Sequence, residues 1–123
     1  MKPIFWLFDM DDTLVNIIDR KKDEETAYMT LNYQRNNPEM MSIFLGCKQI
    51  NPLHVGIITG RHPNLKKEIQ MKFELVNVWT RTKYLLEEEI MEACSTHERT
   101  EIFWEDSVND KIDVMIELSE INF

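Results

Sequence analysis

The sequence is poor in the residues that mark special classes of protein. Its 123 residues include three glycines and two cysteines, with no internal repeat and no low-complexity linker. Two cysteines are too few for a disulfide framework. No apolar run approaches the roughly 18 residues of a membrane span, and acidic residues follow the apolar start of the chain before any signal-peptide cleavage site. We therefore expect one cytoplasmic domain over residues 1–123 that does not enter a membrane.

Positive charge is scarce in the last third of the chain. Residues 1–86 carry 12 Lys and Arg against 10 Asp and Glu, whereas residues 87–123 carry 2 against 12. This imbalance argues against a protein that coats nucleic acid broadly. It leaves room for a local cationic site built from the first part of the chain.

Apolar runs alternate with helical patterns along the sequence. The continuous apolar run at 4–8 is typical of a strand buried on both faces of a parallel sheet. Further strands are predicted at 53–59, 75–80, 101–105 and 121–123, and helices at about 22–35, 38–45, 63–73, 82–94 and along Val108, Ile112, Met115 and Leu118 or Ser119. This alternation predicts an α/β fold, a three-layer α/β/α Rossmann-like parallel sheet of four to five strands.

Polar residues follow the predicted strands. Asp9 and Asp11 come at the end of the first strand, Thr59 ends the second, and Asp106 follows the fourth. Ligands gather beyond the carboxyl ends of the strands in such sheets. Two carboxylates two positions apart suit a nucleophile and an acid/base, so the pattern favours a phosphate-handling enzyme.

The order of these motifs resembles the haloacid dehalogenase superfamily of phosphohydrolases over nearly the whole chain. The four matching segments are Asp9-Met10-Asp11-Asp12-Thr13, then Ile57-Ile58-Thr59 with Gly60-Arg61, then Lys83 ahead of a helix, and finally Glu105-Asp106 with Asp110. Lys67 is the alternative to Lys83, although it lies in the middle of a predicted helix. The resemblance implies an HAD-like fold and a phosphatase that works through an aspartyl-phosphate.

The resemblance also implies a role for each matching residue. Asp9 would be the nucleophile and Asp11 the acid/base. The phosphate would be bound by Thr59, Gly60, Arg61 and Lys83. Mg²⁺ would be held by Asp9, the backbone carbonyl of Asp11, and Asp106, with Glu105 or Asp110 as further candidates.

The gaps between the motifs bear on the substrate. Fewer than 40 residues separate Leu14 from the second predicted strand, and one helix fills the gap after Arg61, so neither gap fits a substantial cap domain. An open site admits large substrates, or else a neighbouring subunit of a homo-oligomer covers it. Basic residues near the predicted site favour a polyanion, and Thr59-Gly60-Arg61 is similar to the capless phosphatase domain of polynucleotide kinase–phosphatase.

We therefore expect an Mg²⁺-dependent phosphomonoester hydrolase acting on a nucleotide or a nucleic-acid 3′-phosphate end. The alternative is a phosphate-binding regulatory or interaction module with the same fold and little turnover. A weaker alternative is a phosphotransferase that passes the phosphoryl group to an alcohol.

Overall fold

The protein has an α/β fold, seen here in a computed structural model that describes residues 4–17, 31, 34–82, 89, 92–93 and 95–120. The elements follow in the order β1 (Trp6–Asp9), β2 (Val15–Ile17), β3 (Gln34–Asn36), α1 (Pro38–Ile50), β4 (Val55–Ile58), α2 (Lys66–Phe73), β5 (Val78–Trp79) and α3 (His97–Ser119). Short 3₁₀ turns at Pro52–His54 and Pro63–Leu65 precede β4 and α2.

Within the described part of the chain, three parallel strands form the main sheet in the order β1-β4-β5. Asp9 is the register partner of Ile58, and Ile58 is the partner of Trp79. The three strands therefore end side by side at one edge of the sheet. Strands β2 and β3 form a separate antiparallel pair.

Helices cover both faces of the main sheet. Phe8 and Ile57 belong to the larger apolar cluster, together with Phe44 of α1 and Ile69 of α2. Because side chains alternate along a strand, Leu7 and Asp9 point to the other face. There α3 packs, and its residues Val114 and Leu118 cluster with Ile58.

Several predicted elements differ from the structure in length. Helix α1 does not stop at Gly46 but continues to Ile50, since Gly46 lacks the positive φ that would end the helix there. The predicted strand at 75–80 is reduced to β5. The last two residues of the helix predicted at 22–35 lie in β3.

The predicted fourth strand at 101–105 is wrong. These residues lie inside α3, which begins after Thr96, whose side chain accepts a hydrogen bond from the backbone N–H of Arg99 at 3.1 Å. No glycine or proline interrupts the next 23 residues, so nothing stops the helix before Ser119. The short strand predicted at 121–123 and most of the helix predicted at 82–94 lie outside the described residues.

The residues whose spacing predicts the last helix do lie in α3, but most of them are not the residues that it buries. Val108, Ile112 and Met115 are exposed, whereas only Leu118 of that predicted set is buried. The buried residues of α3 are Thr100, Phe103, Ser107, Val114 and Leu118. Among the described residues, no helix is both long and apolar enough to cross a membrane.

Candidate active site

A tight turn after β1 holds the two candidate carboxylates. The backbone N–H groups of Leu14 and Val15 both donate to the carbonyl of Met10, at 3.0 and 3.1 Å. Met10, Leu14 and Val15 are fully buried, which anchors the turn in the core. Asp12 takes a left-handed φ of 60° at its tip, a conformation that Asp tolerates better than most residues. The turn thus fixes the backbone that carries Asp11.

Asp11 lies in a network of donors. The Arg61 guanidinium binds it twice, with Nη2 2.7 Å from Oδ1 and Nε 3.2 Å from Oδ2. The Thr59 hydroxyl donates to Oδ2 at 3.3 Å, and the Gln34 amide donates to Oδ1 at 3.4 Å. Three side chains from two parts of the chain, the segment after β4 and strand β3, therefore orient this one carboxylate, which is 21% exposed.

The segment after β4 supplies two of these donors. Thr59 is buried, and its backbone N–H donates to the carbonyl of Trp79 at 2.9 Å. Its hydroxyl oxygen also accepts the backbone N–H of Arg61 at 3.2 Å, so the two residues are locked together. Gly60 lies between them at a point where a Cβ would collide with the Ser107 hydroxyl of α3. A glycine is required here by the close approach of the helix.

Asp9 has a different partner. The Lys111 ammonium donates to Asp9 Oδ1 at 3.0 Å, and the two side chains are 20% and 46% exposed respectively. Asp9 is thus the more accessible of the two carboxylates. Asp9 and Asp11 are each paired with one cationic side chain, so these two ion pairs together carry little net charge.

Several predicted site residues lie elsewhere. Asp106 is exposed on α3 and, with Arg81, Phe103 and Asp110, helps to line a cavity of about 400 Å³. The Asp110 carboxylate accepts hydrogen bonds from both the backbone N–H and the hydroxyl of Thr82. Lys67 and Glu105 are exposed on α2 and α3. Lys83 lies outside the described residues.

The predicted metal set combines the side chains of Asp9 and Asp106 with the backbone carbonyl of Asp11. Magnesium prefers several oxygen ligands that converge on one point. Within the part of the chain that the structure describes, no three His, Cys, Asp or Glu side chains converge in this way. Asp106 is carried by a helix instead of a strand end, and Asp9 and Asp11 already bind Lys111 and Arg61. The described side chains alone therefore form no magnesium site, and the set that includes the backbone carbonyl of Asp11 stays a prediction of the resemblance.

Sequence reasoning missed two residues at this site, Lys111 and Gln34. A signal existed for Lys111, because it lies four residues after Ser107 and three and seven before Val114 and Leu118. These spacings place all four on one face of a helix. Gln34 had no such signal, since a single glutamine before a short strand has no distinctive pattern.

Comparisons with known proteins do not assign the chain to a family. No protein-family model, no curated protein and no solved structure significantly matches this chain. What the chain does must therefore be argued from the geometry of Asp9, Asp11 and the groups bound to them.

Proposed function

We propose that the protein is a phosphomonoester hydrolase that uses Asp9 as its nucleophile. One observation carries this proposal: two carboxylates follow the same strand, and each is held by a cation. Lys111 binds Asp9 and Arg61 binds Asp11, while Thr59 at the end of the neighbouring strand also contacts Asp11. Enzymes that transfer phosphoryl groups position the reacting groups and stabilise negative charge, and they do so with carboxylate, hydroxyl and cationic groups placed close together.

The two carboxylates take different parts in the proposed reaction. An oxygen of Asp9 attacks phosphorus, the bond from phosphorus to the ester oxygen breaks, and Asp11 gives a proton to the leaving oxygen. In the second step Asp11 takes a proton from water, whose oxygen attacks the aspartyl-phosphate and releases inorganic phosphate. The greater exposure of Asp9 supports its role as nucleophile. The donors around Asp11 orient its ionised form, which is the form that takes a proton from water in the second step; the proton gained there is the one that Asp11 gives to the leaving oxygen in the next turnover.

Thr59, Gly60, Arg61 and Lys83 are the proposed phosphate-binding residues. Arg61 is buried and already engaged with Asp11, so we expect it to act mainly by orienting that carboxylate. Dependence on Mg²⁺ is a further prediction of the resemblance. Cys47 carries a free thiol, which supports a place of action in the cytoplasm, where disulfides are rare.

We propose a nucleotide or a nucleic-acid 3′-phosphate end as the substrate. The basic residues of the first part of the chain favour a polyanion, whereas the acidic last third disfavours long contacts along a polymer. A substrate that presents its terminal phosphate to the site satisfies both conditions.

A phosphate-binding module with little turnover is the second candidate. It is favoured by the same two ion pairs, because both carboxylates are already neutralised by side chains. The two candidates differ in what Asp11 contributes. A pure binder has no use for an acid/base at this position.

Phosphate release tests the proposal. The substrates are p-nitrophenyl phosphate, a panel of nucleoside monophosphates and a 3′-phosphorylated oligonucleotide, each with Mg²⁺ and with EDTA. We expect release that Asp9→Asn abolishes. Asp12→Asn is the matched control, since it removes the same charge from the next exposed carboxylate and asparagine tolerates a positive φ.

Asp11→Asn separates the two candidates. In a hydrolase it slows both steps by about 10²–10⁴-fold, and acid quenching then traps labelled phosphate on the protein. Undiminished phosphate release by the Asp9→Asn variant would contradict the assignment of Asp9 as the nucleophile. Phosphate binding without any release by the wild-type protein would favour the binding module.

A further inference from the structure

We infer that Lys111 of α3 supplies positive charge beside the nucleophile, a lysine that the resemblance does not include. This inference rests on the proposed function, since it assigns a further catalytic residue to the same site. Lys111 Nζ lies 3.0 Å from Asp9 Oδ1, within hydrogen-bonding distance of the group that would attack phosphorus. The two residues are separated by 102 positions in the sequence, so only the tertiary fold brings them together.

The packing of α3 fixes the position of Lys111. Four residues before it, buried Ser107 lies against Gly60, at the end of β4. After it, Val114 and Leu118 cluster with Ile58 on the same face of the sheet. Residues three and four apart share one face of a helix, so Lys111 must face the sheet between these contacts. Asp9, the register partner of Ile58, lies on the face that it meets.

The neighbouring residue of the helix strengthens this placement. Asp110 binds the backbone N–H and the hydroxyl of Thr82, shortly after β5. Ser107, Asp110 and Lys111 thus contact the segments that follow β4, β5 and β1 respectively. With three such contacts within five residues, α3 has little freedom to slide or rotate away from Asp9.

The chemistry of an ammonium suits this place. A lysine ammonium has three donors and no acceptor, and one donor is used on Asp9. Among the described residues no other group engages this ammonium, so its remaining donors can bind phosphoryl oxygens as they approach. A positive charge there offsets the repulsion between a carboxylate and a phosphate dianion, which otherwise opposes attack. Lys67 is exposed on α2, and the apolar residues of α2 pack on the opposite face of the sheet.

Three variants test the inference. Lys111→Gln removes the charge and nearly keeps the length, Lys111→Arg restores a charge, and Lys72→Gln removes the charge of an exposed lysine near Phe73. We expect Lys111→Gln to lower kcat by at least about 100-fold and to weaken inorganic phosphate binding in a thermal-shift titration. Lys111→Arg should recover part of both, and Lys72→Gln should change neither.

The wild-type protein provides a second measurement that needs no variant to fold. Acetic anhydride acetylates accessible lysines, and mass spectrometry reports the modified fraction at each position. Inorganic phosphate should protect Lys111 and leave Lys72 unprotected. The inference is overturned if phosphate gives Lys111 no protection, or if Lys111→Gln retains wild-type kcat and phosphate affinity while Lys83→Gln loses both.

These outcomes separate the inference from the proposed function. If the wild-type protein releases no phosphate in a way that depends on Asp9, the proposed hydrolase activity is overturned. The phosphate-binding measurements then decide whether Lys111 binds phosphate at this site. Asp9-dependent release that Lys111→Gln leaves unchanged retains the hydrolase and overturns the inference.

Discussion

The Arg61 guanidinium binds both carboxylate oxygens of Asp11, through Nη2 at 2.7 Å and Nε at 3.2 Å. Arg61 is 1% exposed, so the ion pair with Asp11 helps to compensate a buried charge. A fork of two parallel hydrogen bonds fixes direction as well as distance, and lysine cannot reproduce it. This pair joins the turn after β1 to the segment after β4.

Removing the Arg61 side chain should destabilise the protein strongly. Arg61→Met leaves Asp11 without its main partner, and breaking a buried pair from one side costs about 3–5 kcal/mol. Arg61→Lys keeps the charge but loses the fork, and should fall between Arg61→Met and the wild type. Urea unfolding measures both. The matched control is Arg99→Met, which breaks an exposed pair with Glu92 and should cost less than about 1 kcal/mol. Equal losses for Arg61→Met and Arg99→Met would contradict the buried pair.

Two glycines should respond to alanine in opposite directions. At Gly60 the new methyl group meets Ser107, so Gly60→Ala should lower stability by about 1–3 kcal/mol through overpacking. It should also lower phosphate release, because Ser107 and Lys111 share a face of α3. Gly46 lies in the interior of α1 with open space around it, and Gly46→Ala should raise stability by about 0.5–1 kcal/mol. Thermal unfolding of the two variants, side by side, checks the signs. A Gly60→Ala protein as stable as the wild type would show that α3 packs differently.

A glycine at position 74 should stabilise the protein. Glu74 ends α2 with φ 49° and ψ 52°, the left-handed conformation in which a Cβ costs about 1–2 kcal/mol. Its side chain is exposed, while its backbone N–H closes the helix onto the carbonyls of Gln70 and Met71. Glu74→Gly keeps those bonds and should gain about 1 kcal/mol. Glu74→Ala keeps the Cβ and should not raise the free energy of unfolding. Equal stability of the two variants in urea would therefore refute the left-handed conformation at position 74.

The central strands of this fold can be predicted from the sequence because continuous runs of apolar residues indicate strands inside the sheet. The apolar runs at 4–8 and 53–59 correspond to β1 and β4, parallel neighbours whose ends carry Asp9 and Thr59. Placing Thr59 and Arg61 near Asp11 followed from the parallel arrangement alone. The hydrogen bonds among them required the fold itself.

The last quarter of the chain was harder to predict for one physical reason. The segment Ile102-Phe103-Trp104 is rich in strand-forming residues, but its conformation is set by the helix that Thr96 starts and nothing interrupts. The spacing of Val108 and Ile112 predicts the last helix, but both residues are exposed because α3 buries other residues, Ser107 and Val114 among them. Lys111 was therefore not recognised as a residue that faces Asp9.

The separation of 102 positions between Asp9 and Lys111 affects the order in which the newly made chain can fold. A ribosome that adds about 5–20 residues per second places Lys111 in the chain about 5–20 s after Asp9. During that interval Asp9 has no Lys111 to bind, and the face of the sheet that carries Leu7 and Ile58 has no α3 to cover it. A newly made chain thus acquires its covered sheet and its complete pair of charges together, when the last helix docks.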